Sequence, residues 1–390
     1  MADAVIVACA RTPIGRAYKG SLVGHDAFAL AEIAVGEALR RAGIDRADID
    51  DIVLAESLQG GGVIARHTAI RLGLSAVPGL ADNRHCAAGL SAVQIAAASI
   101  LAGMDKVVVA GGTESLTNNP VTKRRSRTTG ELTDWMSPSH PETPDAPAWD
   151  MSITVGENTA RAAGLSRHDV DAWAALSHER AIGSIDAGWF RDEIVPVTIA
   201  RADGSTACFD TDEHPRRGTT VEKLGALTVL HPELAGATVT AGNAAGLNDA
   251  AAAVVVTGAD YASVHGLHPL GRIRSWASVG VDPARTGLAP IDAIPRAIAR
   301  AGIAQSDIAL FEINEAFCSV PVAASRALSI DPGIVNVNGS GCSLGHPIAA
   351  TGTRMLITML AELARRDAQF GCVSMCAGGG MGSAMIVERI

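Results

Sequence analysis

Residues 86–103 are almost wholly Ala, Ser, Gly, Ile, Leu and Val, with no charged residue before Asp105. A helix made from them has no polar face and must be buried. Its first residue is Cys86. A cysteine there meets unpaired backbone N–H groups and the positive end of the helix dipole, both of which favour thiolate over thiol. The chemistry would be nucleophilic attack by sulfur. Taken alone, Cys86 also reads as a small packing residue, since free cysteines are among the most buried side chains.

Three further motifs carry reactive or polar groups. Asn314-Glu315-Ala316-Phe317 follows an apolar strand over 308–313. Asn338-Gly339-Ser340-Gly341-Cys342-Ser343-Leu344-Gly345-His346-Pro347 leads into a second long helix, with Pro347 in its first turn. Cys376-Ala377-Gly378-Gly379-Gly380-Met381-Gly382 follows a strand over 372–375. Each lies at the end of a strand or the start of a helix, where open α/β sheets place their sites. Glycines beside a nucleophile let backbone N–H groups approach a substrate oxygen. Alone, His346 and Asn314 read as helix-capping residues and Cys376 as packing.

An internal repeat links these motifs. Residues 39–50, LRRAGIDRADID, recur at 298–309 as IARAGIAQSDIA, so that Gly43, Asp48 and Glu56 align with Gly302, Asp307 and Glu315. A fixed offset across helix, turn and strand marks a duplicated unit. At that offset Cys86 falls on Gly345, beside His346. If the halves face each other across a pseudo-twofold axis, cysteine and histidine converge.

The elements that must position these groups alternate. Strands over 5–9, 52–55 and 106–110 are separated by helices, among them an amphipathic helix over 27–41 that stops at Gly43. This argues for α/β architecture with a largely parallel sheet covered on both faces. From about 118 the texture becomes loop-like, with the basic run Lys123-Arg124-Arg125-Ser126-Arg127 and a Pro-rich stretch over 137–147. The basic run reads as solvated surface, a phosphate contact or a subunit contact. Helices over 156–163 and 169–187 and a hairpin turn over 201–204 follow. The α/β texture resumes at Asn248. The division is therefore an N-terminal half over 1–117, completed by about 248–268, an inserted loop subdomain over 118–247, and a C-terminal half over 269–390.

Composition excludes several classes. The 390 residues are 48% hydrophobic and 3% aromatic, with a net charge of -9. Few aromatics and an acidic balance argue against nucleic-acid and membrane-surface partners. No unbroken apolar run spans a bilayer. The N-terminus reads as the start of a strand and not as a signal peptide, which points to a cytoplasmic protein. Seven irregularly spaced cysteines without a CxxC pair argue against a zinc site or a disulfide framework. Cys9, Cys208, Cys318 and Cys372 read as packing residues, and His85 as structural.

The four motifs, together with Arg11-Thr12-Pro13-Ile14-Gly15, Ala110-Gly111-Gly112-Thr113-Glu114-Ser115 and Thr240-Ala241-Gly242-Asn243-Ala244-Ala245-Gly246-Leu247-Asn248-Asp249, resemble the thiolase family over essentially the whole chain. The resemblance implies the five-layered α-β-α-β-α thiolase fold. It implies acyl transfer between coenzyme A thioesters: condensation of two acetyl-CoA to acetoacetyl-CoA, or thiolysis of a 3-ketoacyl-CoA. It makes Cys86 the nucleophile that carries the acyl group, His346 its activator and Cys376 the second acid/base. Asn314 holds a water that, with His346, stabilises an enolate oxygen. The N–H groups of Cys86 and Gly378 form the other oxyanion hole. Arg216, Ala241, Ala245, Ala316 and Phe317 become coenzyme A contacts, Arg216 near the adenine end. Acyl-CoA and CoA are then substrates with no resident cofactor and no metal, and the protein is a homodimer or homotetramer. Claisen chemistry independently asks for a covalent acyl carrier, a base for a weakly acidic C–H and oxyanion stabilisation.

The sequence departs from the family pattern in places. Ala245 replaces a serine and Ala349 a glycine. Asp150-Met151-Ser152-Ile153-Thr154 lacks the His-Met-Gly of acetoacetyl-CoA-forming members, and Thr286-Gly287-Leu288-Ala289-Pro290 lacks their pocket methionine. Acyl-chain length is therefore open. Two alternatives stand beside the thiolase reading. A ketosynthase-like condensing enzyme would pair cysteine with two histidines, and Cys376 argues against it. A non-catalytic acyl-CoA or lipid-binding paralogue would not need Cys86, His346 and Cys376 together.

Overall fold

The computed structural model describes residues 3–59, 61–201 and 203–390; Met1, Ala2 and the Ala202 position of the expected 201–204 turn lie outside them. Nine strands form the body of one ten-stranded sheet. In chain order they are β1 (Ala4–Arg11), β2 (Asp51–Ala55), β3 (Gly79–Asp82), β4 (Val107–Ser115), β5 (Asn248–Gly258), β6 (Gly271–Gly280), β7 (Ile308–Ile313), β8 (Phe370–Ala377) and β9 (Met381–Glu388). The short strand Gly15–Arg16 pairs with β5.

Across the sheet the order is β7-β8-β9-β6-β1-β5-β4-β2-β3. Read outward from the middle, β1-β5-β4-β2-β3 and β6-β9-β8-β7 follow the same plan, and a parallel bridge from Phe311 to Val335 stands where β3 lies in the first half. Within the sheet, the described residues of the two halves pair through Val5–Arg272 and Ile6–Gly271. The repeat is visible residue by residue. Helix α1 (Ala27–Ala42) is capped at its start by the Asp26 side chain and ends on Gly43 at φ 62°. Helix α4 (Ala289–Ala301) ends on Gly302 at φ 70°. Both positions require the left-handed region that glycine enters freely. A 3-10 turn follows each, Arg46–Asp48 and Gln305–Asp307, and then β2 or β7.

The largely parallel sheet expected from the alternating pattern is not what forms. Only β2–β3, β2–β4 and β7–β8 are parallel. Pairs β1–β5, β5–β4, β6–β9, β8–β9 and β1–β6 are antiparallel. Helical crossovers impose parallel pairing only at the outer part of each half. Nearer the middle, β8 and β9 join by a tight hairpin, and β5 returns after a long excursion.

Five layers result. Helix α1 covers one face of the first half, and α4 covers the corresponding face of the second. Between the halves lie α2 (Ala88–Leu101) and α5 (Ile348–Arg365), packed on each other and on both groups of strands. Helix α2 is buried along most of its length, as its composition requires, with Ala98 and Leu101 exposed at its end. The central helices approach backbone to backbone. A Cβ on Gly89 would stand 2.5 Å from the Ala349 carbonyl oxygen, and one on Gly112 of β4 would stand 2.0 Å from the same atom. Thr353 Oγ1 donates to the Gly89 carbonyl at 3.0 Å. The sequence reading ended this strand before Gly111; in fact β4 continues through both glycines to Ser115, because they let neighbouring backbone close in.

Residues 116–247 run between β4 and β5. They include an exposed hairpin of Lys123–Arg125 with Leu132–Asp134, helix α3 (Arg167–Asp186) with a Ser166/Asp169 capping box, and a second hairpin, Val197–Ala200 with Thr206–Phe209. Buried Arg11 ties this region to β1, with Nε 2.9 Å from Glu193 and Nη1 2.9 Å from Asp212. Cys208, expected as a packing residue, is exposed on the second hairpin.

Gly112→Ala should destabilise the protein by about 3 kcal/mol, the upper end of overpacking costs, because a backbone oxygen blocks the new methyl group. Gly24→Ala, with open space around it, should stay within about 0.5 kcal/mol of wild type. Denaturant midpoints of the two variants test this packing.

Candidate active site

Cys86 sits on a turn between β3 and α2. Asn83 anchors that turn: its Oδ1 accepts from the His85 N–H at 2.8 Å and its Nδ2 donates to the Ser57 carbonyl at 3.1 Å. His85 holds φ 46°, left-handed for a non-glycine residue. Such strain persists only where its surroundings fix it, and here it presents the next side chain, Cys86. The helix itself begins at Ala88, so Cys86 lies just ahead of it and is not its first residue. His346 occupies the same station ahead of α5, which begins at Ile348 with Pro347 as its N-cap. Each residue thus lies two positions ahead of the first residue of its central helix, as the repeat expects. Gly89 touches Ala349, so the starts of the two helices meet.

The expectation that the helix end would favour a Cys86 thiolate is overturned. The backbone N–H groups of Gly378 and of Cys86 itself do act on the sulfur and lower its pKa. Burial outweighs them and pushes the thiol up to about 11. The resting group is a thiol.

His346 is held at three points. Its N–H donates to Asn248 Oδ1 at 3.0 Å. The preceding Gly345 adopts φ 109°, and a Cβ there would strike the Asn248 side chain at 2.7 Å. Its Nδ1 is 2.6 Å from Thr351 Oγ1, and that hydroxyl donates to the Pro347 carbonyl at 2.8 Å. The threonine has one proton, already given to Pro347. We therefore assign the imidazole proton to Nδ1, which leaves Nε2 with a free lone pair. Asn314 Nδ2 is 3.5 Å from that Nε2, and the Asn314 Oδ1, fully buried, has no protein partner. Burial, reinforced by the positive charge of Arg354, lowers the His346 pKa to about 3. Arg354 is itself buried and paired with Glu312 at 2.5 Å. The histidine is thus a neutral acceptor at rest.

Cys376 belongs to β8, which runs through Ala377, and not to a loop after it. It pairs with Gly382 of β9, so Gly378-Gly379-Gly380 is the tip of a hairpin. Gly379 and Gly380 have φ 86° and 78°, and side chains there would meet the Ser139 and Val281 carbonyl oxygens at 2.5 and 2.2 Å. The Gly380 N–H donates to Thr286 Oγ1 at 3.0 Å. Burial and the nearby Cys86 sulfur raise the Cys376 thiol well above its usual range.

Glu114, quoted in a motif but given no role, clamps the two halves together at this point. Its Oε2 accepts from the Ala349 N–H at 3.1 Å, and its Oε1 from the Leu58 N–H at 3.1 Å and Gln59 Nε2 at 3.0 Å. Thr351 and Asn248 were likewise unassigned. Only their fixed position beside His346 could have marked them.

The expected coenzyme A contacts fall on the region between β4 and β5 and on the turn after β7. The Ala245 N–H donates to the Ala316 carbonyl at 2.9 Å, and Ala244 bridges Phe317. Half-buried Phe317 packs against Gly156. Ala241 is exposed beside Gly242, which rests on Leu224 and Leu227. Arg216 is exposed, its backbone N–H donating to His178 Nδ1 at 3.2 Å, and it borders a surface cavity with Arg217 and Thr219. The basic run forms an exposed hairpin, with Arg124 over the Trp135 ring at 5.7 Å. It stands beside a cavity of about 890 Å³ that reaches Asn83 and His85. Among the described residues no cluster of His, Cys, Asp and Glu has the arrangement of a metal site, and no helix is long and apolar enough to cross a membrane.

Replacing Thr351 by valine should free the imidazole to adopt the wrong tautomer and lower kcat by about 10- to 100-fold, with Thr351→Ser restoring most of it. Steady-state kinetics of both variants, with circular dichroism to confirm folding, check the assignment.

Comparison with known proteins agrees with this geometry. Residues 4–260 match the family model "Thiolase, N-terminal domain" and residues 267–389 match "Thiolase, C-terminal domain". The chain is 41% identical to an acetyl-CoA acetyltransferase of Pseudomonas aeruginosa and 39% identical to a 3-ketoacyl-CoA thiolase of Bacillus subtilis, in each case over 100% of both chains. The fold superposes on human mitochondrial 3-ketoacyl-CoA thiolase with a TM-score of 0.92 at 33% identity, covering 100% of this chain and 99% of the other. For the Bacillus anthracis acetyl-CoA acetyltransferase the values are 0.91 and 35%, with the same coverage. Five layers, a duplicated half and full-length similarity converge on one conclusion: the chain belongs to the thiolase family.

Proposed function

We propose that the protein is a thiolase that works through a Cys86 acyl-enzyme, exchanging acyl groups between coenzyme A thioesters. The observation that carries this is that Cys86 and Cys376 lie close enough to act on each other, with the Gly378 N–H acting on the Cys86 sulfur, while His346, 3.5 Å from Asn314, stands ahead of the central helix that packs on the one following Cys86.

His346 Nε2 takes the Cys86 proton as the sulfur attacks a thioester carbonyl. The tetrahedral oxygen is held by the N–H groups of Cys86 and Gly378, and CoA leaves with the Cys376 proton, which makes Cys376 a thiolate while His346 keeps the Cys86 proton. A second acetyl-CoA then loses an α-proton to Cys376 as its thiolate. The enolate oxygen is stabilised by His346 and by a water held on Asn314. Attack of the carbanion on the acyl-enzyme releases the 3-ketoacyl-CoA and regenerates Cys86. Thiolysis runs the same steps backwards. Arg216, Ala241, Ala245, Ala316 and Phe317 line the path for the coenzyme A arm. The names of the relatives support both acetyl and longer acyl groups. The working form is a cytoplasmic homodimer or homotetramer.

Incubation with acetyl-CoA followed by peptide mass spectrometry should place one acetyl group on Cys86, and Cys86→Ser should abolish it. No acyl-enzyme together with no thiolysis of any 3-ketoacyl-CoA would sink the proposal. Cys376→Ser should still acylate at Cys86 while condensation falls by at least about 100-fold; unchanged condensation would remove Cys376 from the mechanism.

The resting protonation states give a pH prediction. With Cys86 raised to about 11 and His346 lowered to about 3, the pair is neutral between those values. Thiolate then grows with pH, and alkylation of Cys86 by iodoacetamide should accelerate by about tenfold per pH unit from pH 7 upward. A rate that levels off by about pH 8 would show a thiolate already formed at neutrality.

A further inference from the structure

Residues 152–157 form a π-helical turn, Ser152–Glu157, ahead of the short helix Asn158–Ala162. Such turns are uncommon and cluster at functional sites. This one packs into the apolar cluster that holds Cys376. Gly156 is wedged against Phe317 and Val239, with hypothetical Cβ distances of 2.8 and 2.6 Å. Val155 and Thr159 abut Gly287, next to the Thr286 that holds the Gly380 N–H. Partly exposed Met151, Leu288, Ala316 and Phe317 pack on the same apolar cluster as Cys376.

One loop grips this turn at both ends. At its start, His231 Nε2 is 2.6 Å from Ser152 Oγ and 3.3 Å from Asp150 Oδ2, while its Nδ1 is 2.9 Å from Glu233 Oε1. Asp150 Oδ1 accepts from the Ser152 N–H at 3.0 Å and from the Ser152 hydroxyl. At its end, buried Glu157 accepts from the Thr238 N–H at 2.9 Å, the Thr238 hydroxyl at 3.0 Å and the Val239 N–H at 2.8 Å. Between the two grips the loop is closed on itself, by Leu230 N–H to the Val239 carbonyl and Leu234 N–H to the His231 carbonyl.

Ser152, His231 and Glu233 share the order of a hydrolase triad, but the Ser152 proton is directed to Asp150 and not to the imidazole. The serine is a strut, not a nucleophile. We infer that His231, through Ser152 and Asp150, is a specificity-determining positioning residue: it braces the π-helical turn and so sets the length of acyl chain the site accepts. The inference rests on the thiolase reading above. Glu157 fixes one end of the turn within the core. His231, its side chain 15% exposed, fixes the end nearer Met151. Loosening that end lets Met151 and Val155 move away from Leu288 and Phe317 and lengthens the pocket.

Thiolysis by the full-length enzyme is measured on a short and a long straight-chain 3-ketoacyl-CoA for wild type, His231→Ala, His231→Gln and Ser152→Ala. His231→Ala and Ser152→Ala should each raise the long-to-short ratio of kcat/KM by at least about threefold. The change should come through KM, with kcat on the short substrate within about twofold of wild type. His231→Gln, whose amide keeps a donor near Ser152, should return towards the wild-type ratio. An unchanged ratio in both His231→Ala and Ser152→Ala overturns the brace, whether or not total activity or melting temperature falls; if His231→Ala does not fold, Ser152→Ala decides. No turnover by wild type on either substrate would overturn the thiolase reading itself, a result distinct from turnover with an unchanged ratio.

Discussion

The close contact of two central helices governs the rest of the molecule. The Ala349 carbonyl oxygen lies where side chains on Gly89 and Gly112 would be, so α2, α5 and β4 meet as bare backbone. No larger residue at either glycine permits that spacing. The spacing sets where the helices begin relative to one another, and hence where Cys86 and His346 stand. Glu114 fastens the same junction, accepting from Ala349 on one side and from Leu58 and Gln59 on the other. A difference of an ångström here would be felt directly in the distance a proton must travel.

The site built on this contact is largely buried, and its electrostatics follow from that. Burial opposes charge on both Cys86 and His346. Buried arginines are paired, Arg354 with Glu312 and Arg11 with Glu193 and Asp212, while buried carboxylates such as Glu114 and Glu157 are held by N–H and hydroxyl donors. A neutral thiol beside a neutral imidazole suits reversible transfer between thioesters, where attacking and leaving groups are both sulfur. Charge forms only as bonds change, next to N–H groups already aimed at it.

Much of this was legible in the sequence because it is periodic or repeated. The 259-residue offset between Gly43 and Gly302 reappears as matching left-handed caps and matching 3-10 turns. It sets His346 and Cys86 at equivalent stations of the two halves. The charge-free run after Cys86 became a buried central helix. What escaped was non-local. The antiparallel pairing of β5 with β1 and β4 depends on a strand that returns after residues 116–247, which no local pattern reports. Gly111 and Gly112 looked like a strand end, because glycine usually punctuates; here they admit the helix backbone. The helix-dipole argument for a Cys86 thiolate was sound locally and lost to desolvation, a property of the whole fold. Thr351, Glu114 and His231 had no signature apart from the partners that folding gave them.

The duplicated architecture also shapes how the protein reaches its native state. The Thr353–Gly89 contact joins residues 264 apart in the chain, and among the described residues the halves pair in the sheet at Val5–Arg272 and Ile6–Gly271. Each half can organise its own strands around its outer helix during synthesis. Because α2 and α5 cover each other's faces, docking of the halves must bring together segments far apart in the chain, which is entropically demanding. Cys86 belongs to the first half and His346 to the second, so a chain cut between the halves would leave neither piece with both groups of the candidate site.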